Sequence, residues 1–186
     1  MNNKGLMSRE NAVLLIIDVQ EKLFPLISDK ENILQNIRKL IRFAGIISMP
    51  VILTEQYPKG LGPTIPEVKE LLPEVQPIEK MEFSCFGSER FREVLKKLGV
   101  KTLVIAGIET HICIVQTSIE GVNNGYEVCV ISDASSSRNP EDRRIAFERM
   151  RQSGIIVAST EMLIYELLKK AGTQEFRDAL KIIRSP

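Results

Sequence analysis

Tryptophan is missing from the 186 residues, histidine occurs once and cysteine three times. Each scarcity excludes something. The lone His111 rules out metal sites built on two or more imidazoles, and any Ser–His or Cys–His pair must use that one residue. Cys85, Cys113 and Cys129 are odd in number and form no C-x-x-C motif. They read as free thiols rather than a disulfide framework or a zinc cluster, which points to a reducing, cytoplasmic compartment. Charge of one sign is also lacking: 25 Lys and Arg face 24 Asp and Glu, a formal net charge of +1. That balance speaks against a nucleic-acid partner or a polybasic membrane surface. No apolar run approaches the ~20 residues of a membrane span. Met1–Glu10 is polar and reads as carrying no secretory signal. Eleven glycines and nine prolines are too few for a fibrous or disordered chain.

What remains is ordinary globular composition, 44% hydrophobic and 26% charged, at a length that fits a single domain over residues 1–186. Short apolar runs alternate with helical patterns. The runs are Ala12–Ile17, Val51–Leu53, Leu103–Ala106, Val128–Ile131 and Ile155–Ala158, with a weaker one at Val75–Ile78 that is interrupted by Pro77 and leads to Lys80. Unbroken rather than alternating hydrophobicity suits strands covered on both faces. Between them, helical stripes are expected over Asp29–Ile47, Ser88–Leu98 and Thr110–Asn124, with Thr110 as the cap. Asn139-Pro140-Glu141-Asp142 opens another helix, Ser159 or Thr160 caps one through Leu168, and Thr173–Ile183 reads as the last. Gln56–Pro66, rich in Gly and Pro, reads as a surface loop. The alternation predicts an α/β fold with a mainly parallel sheet; taken with the motif resemblance given below, the expected fold is a three-layer α/β/α sandwich with a six-stranded, Rossmann-like sheet ordered 3-2-1-4-5-6.

In such a sheet ligands bind beyond the carboxyl ends of the strands. Asp18 ends the first strand, Lys80 the third, and Cys113 follows the fourth within one helical turn. Unpaired amides and the positive dipole end of that turn favour a thiolate and suit an oxyanion. The plain alternatives are a loop-capping Asp, a solvated Lys and an inert buried Cys; Cys129, mid-strand, reads as the last of these. His111 lies two residues from Cys113, where side chains on a helix diverge, so it reads as a pocket wall or subunit contact. No Gly-rich phosphate loop follows the first strand, which excludes a nucleotide site of that kind.

Three segments now resemble a known family. They are Leu14-Leu15-Ile16-Ile17-Asp18-Val19-Gln20, Lys80-Met81-Glu82-Phe83-Ser84-Cys85-Phe86 and Gly107-Ile108-Glu109-Thr110-His111-Ile112-Cys113. In order and spacing they are similar to the motifs of the isochorismatase-like cysteine hydrolases, the superfamily that includes nicotinamidases and N-carbamoylsarcosine amidases. The resemblance implies a triad of Asp18, Lys80 and Cys113. It also implies a cis peptide joining Ile108 and Glu109, an oxyanion hole from the amides of Glu109 and Cys113, no cofactor and a homo-oligomer. The helix Thr110–Asn124 or the Gly/Pro-rich loop would then supply subunit contacts. The implied reaction is thiol attack on a small amide-like C–N bond, loss of amine or ammonia, and hydrolysis of the thioester. With a single His, the metal site of nicotinamidases is not expected. Cys113 argues against vinyl-ether hydrolysis of the isochorismatase type. The stretch Thr54–Gly62 is most similar to small stand-alone isochorismatase-domain hydrolases.

By placement, Gln20, Phe24, Gln56, Tyr57, Phe83 and His111 are the candidate walls of a small-molecule pocket. Two other functions fit the same fold. One is a non-catalytic scaffold. The other is a thiol redox sensor, in which Cys113 oxidises and Cys85 resolves it, provided the two sulfurs come within disulfide reach.

Overall fold

The computed structural model describes residues 5–184. The reading of Met1–Glu10 as free of a leader falls partly on residues 1–4, outside that range. Six strands occur among the described residues: β1 (Ala12–Ile17), β2 (Val51–Gln56), β3 (Ile78–Lys80), β4 (Thr102–Ile108), β5 (Glu127–Ser136) and β6 (Ile156–Ala158). They form one sheet in the order β3-β2-β1-β4-β5-β6, and every neighbouring pair is parallel. The helices are α1 (Lys30–Ile46), the one-turn α2 (Pro58–Leu61) and α3 (Pro66–Lys69), α4 (Glu89–Leu98), α5 (Val115–Asn123), α6 (Pro140–Gln152), α7 (Thr160–Leu168) and α8 (Gln174–Arg184).

The sequence explains the layering. Successive strand side chains alternate between faces. On β1, Leu14 and Ile16 pack toward α1, α7 and α8, while Val13, Leu15 and Ile17 pack toward α4, α5 and α6. An unbroken apolar run therefore serves two cores at once. All six β1 residues are buried. At roughly 1.5–3 kcal/mol per buried large side chain, this strand is a major source of stability.

Three expectations need correction. β5 continues five residues past Ile131 to Ser136, because its polar end finds partners. Ser136 Oγ donates to the Ser28 carbonyl at 2.7 Å, and Arg143 Nε donates to the Ser135 carbonyl at 2.9 Å. Gln56 is not the start of a loop but the last residue of β2, paired with Lys80 of β3. Part of the Gly/Pro-rich stretch is helical, as Pro58 and Pro66 each begin a single turn, a position where the missing amide is harmless.

Gly107, near the end of β4, has φ +125°. A Cβ there would stand 2.1 Å from the carbonyl oxygen of Ile17, so only glycine lets β4 lie this close to β1. The residue that follows β1 is Asp18, also at positive φ (54°). This close approach brings the ends of the two central strands together.

Candidate active site

Asp18, Lys80 and Cys113 converge. Lys80 Nζ donates to Asp18 Oδ2 at 2.7 Å, and neither side chain has any solvent exposure. Asp18 Oδ1 accepts from the hydroxyl of Thr54 at 2.7 Å. The ammonium of Lys80 also donates to Gln56 Oε1 at 2.7 Å, and approaches the carbonyls of Phe83 and Glu82 at 3.3 and 3.4 Å. Burial alone would lower the pKa of the ammonium. Burial is the largest single effect, but the charge of Asp18, with Cys85, Cys113 and the hydrogen bond to Asp18, together outweighs it, and the pKa ends above its usual value.

Cys113 is buried, and its thiol faces the Asp18 carboxylate. It lies on a π-helical turn, Thr110–Ile114, that leads into α5. Widened turns of this kind recur at functional sites. The sequence suggested a thiolate favoured by the helix end. The structure reverses this: burial, then the negative charge of Asp18, push the Cys113 thiol far up, and Lys80 offsets only part of it. The surroundings of the folded chain favour the protonated thiol.

The turn departs from expectation in its capping as well. Glu109, not Thr110, is the cap residue, with extended backbone. Thr110 is the first residue of the turn, and its buried hydroxyl has no partner among the described residues. The peptide between Ile108 and Glu109 is cis. The Glu109 carboxylate accepts from the amide of Arg138 at 3.0 Å, tying the turn to the segment after β5.

The six pocket candidates divide. Gln20 is fully buried, and its amide is spent on backbone: it donates to the carbonyls of Gln56 and Gly62 and accepts from the Gln56 amide. Gln56 likewise serves Lys80 and the Met81 carbonyl. Tyr57 and Phe83 are exposed, on the segments that follow β2 and β3. The Tyr57 ring covers Gly60, where a Cβ would meet it at 2.2 Å. Phe24 is half-buried against the α1-side core. His111 Nδ1 lies 2.9 Å from Ser137 Oγ, and its Nε2 lies 4.0 Å from Asp142. A recess of about 410 Å³ touches Lys80 from outside, but Glu79, Glu82 and Glu89 ring it and neither Asp18 nor Cys113 lines it.

Two neighbours of Asp18, Lys80 and Cys113 were given no part in the hydrolase site by the sequence. Thr54 carried no signal beyond a polar residue at a strand end. Cys85, ambiguous in sequence, is fully buried and close enough for its charge state to act on both Lys80 and Cys113. Its own thiol is pushed up to about 12, first by burial and then by Asp18. Among the described residues no group of three or more His, Cys, Asp or Glu could hold a metal ion.

The pattern of the isochorismatase domain matches residues 12–162. The chain belongs to the isochorismatase family. It is 36% identical over 182 residues to isochorismatase domain-containing protein 2A of Mus musculus, covering 98% of this chain and 87% of that one. Among solved structures, MAR1 ribonuclease from Caenorhabditis elegans superposes with a TM-score of 0.90 at 38% identity, over 97% of this chain and 93% of that one. YcaC from Pseudomonas aeruginosa, carrying hexane-2,5-diol and covalent acrylamide, gives 0.90 at 27%, over 98% and 93%. YcaC from Escherichia coli, an octameric hydrolase of unknown specificity, gives 0.88 at 26%, over 98% and 89%. Isochorismatase-like hydrolases thus share this fold along nearly the whole chain. No helix among the described residues is long and apolar enough to cross a membrane.

Proposed function

We propose that this isochorismatase-family protein is a cysteine-dependent hydrolase of a small amide-like C–N bond, acting as one domain over residues 1–186. The observation that carries the reading is the sealed Asp18–Lys80 pair against a buried thiol. A neutral thiol is a weak nucleophile, and a carboxylate in contact with it is a base for its proton. Attack of Cys113 Sγ on the amide carbonyl transfers the thiol proton to Asp18. The amides of Glu109 and Cys113 hold the oxyanion. Lys80 keeps Asp18 anionic before attack and balances the charge as sulfur becomes bonded. The proton on Asp18 passes to the leaving nitrogen, and amine or ammonia departs. Asp18 then takes a proton from water, whose oxygen attacks the thioester, and the thiol is restored. Tyr57, Phe83 and His111 line the approach. No cofactor takes part in these steps.

We further propose a cytoplasmic homo-oligomer with a small-molecule substrate. The free thiols and the octameric relative from Escherichia coli support it. The relative from Caenorhabditis elegans bears the name of a ribonuclease. A formal charge of +1 offers little attraction for a polyanion.

The test is ammonia release from a panel of small amides, with an RNA oligonucleotide beside them and acrylamide as a covalent probe. Acrylamide adds through its β-carbon to a thiol while the thiol proton goes to the α-carbon. The expected result is release from at least one amide, labelling at Cys113 in peptide mass maps, and loss of both in Asp18→Asn and Cys113→Ser. RNA cleavage without amide turnover, or labelling indifferent to Asp18, overturns the reading.

A further inference from the structure

We propose that Thr54 and Gln56 are positioning residues for this site: Thr54 sets the carboxylate of Asp18, and Gln56 sets the ammonium of Lys80. The proposal rests on the cysteine-hydrolase reading. It gives β2 a role that neither its own chemistry nor the family match assigns.

The two residues stand two apart on β2, so their side chains share one face. That face continues the apolar side formed by Ile52, which packs toward α4 and α5. Glu55, between them, points the other way and accepts from the amide and hydroxyl of Thr64. β1 and β3 flank β2, and each delivers one charged group at its end. The hydroxyl of Thr54 reaches Asp18 on one side and the side-chain oxygen Oε1 of Gln56 accepts from Lys80 on the other, both at 2.7 Å.

The orientation of each contact is determined by chemistry. A carboxylate accepts only, so Thr54 must donate to Asp18. An ammonium donates only, so Gln56 must present its oxygen to Lys80. Its nitrogen then donates to the Met81 carbonyl at 2.8 Å. The backbone amide of Gln56 is in turn fixed by Gln20 at 2.8 Å. An ammonium has three N–H groups. Asp18 and Gln56 take two at short range, and the third meets only the long contacts to Phe83 and Glu82. Two firm bonds stop the head group from rotating and leave the third N–H free to follow the sulfur as it changes state.

The titratable groups facing the pair are Cys85, from the turn after β3, and Cys113, from the turn after β4. Glu79 of β3 is exposed, and the Glu82 carboxylate lies against the Met81 amide.

The experiment labels the full chain with acrylamide between about pH 5 and 9, with the Cys113 peptide quantified by mass. A ¹⁵N–¹H spectrum of the ammonium groups is recorded beside it, with Lys80→Met to assign Lys80. Thr54→Val is expected to slow labelling about tenfold, because the carboxylate facing the thiol loses the hydrogen bond that sets it. Thr54→Ser is expected to restore the rate. Gln56→Met is expected to slow labelling about tenfold at every pH and to shift or broaden the Lys80 signal, a loss of the order of one charged hydrogen bond. Coincidence of both variants with wild type in rate and spectrum overturns the proposal. A wild type that takes no acrylamide at Cys113 removes the hydrolase reading instead, and the Lys80 signal in Gln56→Met still decides the role of Gln56. That same variant decides the matter if Thr54→Val does not fold.

Discussion

The α-carbon of Gly107 faces the carbonyl oxygen of Ile17 with no room for a methyl group between them. The obstacle is backbone, so nothing flexible can give way. Gly107→Ala is expected to destabilise the fold by about 3 kcal/mol or more, through overpacking and a positive φ. Urea unfolding measures it. The same variant should lose acrylamide labelling at Cys113, because Ile17 carries Asp18 with it. Wild-type stability in this variant contradicts the packing described for β1 and β4.

Breaking the buried pair by one partner is predicted to be worse than removing both. Lys80→Met leaves a carboxylate sealed without its cation, and Asp18→Asn leaves an ammonium. Each is expected to lose about 3–5 kcal/mol. The double variant should recover part of that stability and none of the chemistry. Chemical denaturation of the four proteins gives the cycle, and additive losses would show that the two groups do not act as a pair.

Alkaline pH is predicted to weaken the fold, for two reasons with the same sign. The Lys80 ammonium is held above its ordinary 10.5. Its contribution is complete below that value and disappears as pH rises through the higher folded one. Burial, then Glu166 and Glu127, push the Cys129 thiol up to about 12. Above roughly pH 8.5 the unfolded chain gives up a thiol proton that the native chain keeps, so stability again falls with pH. Unfolding free energies from about pH 8 to 11 should slope downward, and less steeply in Cys129→Ala. Parallel slopes would dismiss the thiol contribution.

Gln20 stitches the Gln56–Gly62 segment to the end of β1 through three hydrogen bonds. Gln20→Leu keeps the volume and deletes the bonds. The expected result is a loss of about 2 kcal/mol and faster amide hydrogen exchange over residues 57–64. Unchanged exchange there would mean that the segment is held by other contacts.

The sequence made the sheet legible wherever burial and hydrophobicity coincide. Ala12–Ile17 and Leu103–Ala106 announce β1 and β4 because both faces of each are covered. The six-strand order and the convergence of Asp18, Lys80 and Cys113 follow from strand ends and motifs. The hidden parts are those where polar residues are buried. Ser132–Ser136 continues β5 on hydrogen bonds to Ser28, Ala158 and Arg143, which hydropathy does not register. Thr54 reads only as a polar strand end and Gln56 as a loop beginning because their partners lie 36 and 24 positions away. The raised pKa of Cys113 was likewise illegible. A helix end alone favours the thiolate, and the opposing burial and Asp18 charge belong to the folded molecule.

The protonated thiol favoured at Cys113 has a consequence for the life of the protein in an aerobic cell. Peroxide attacks the anion of cysteine far faster than its protonated form. On the proposed mechanism, a thiol that gives up its proton only as a carbonyl arrives offers peroxide little between turnovers. Burial and the raised thiol pKa values make Cys113 and Cys85 slower targets for oxidants than an exposed thiolate. If Cys113 is the nucleophile proposed above, the same burial slows its loss to sulfinic acid.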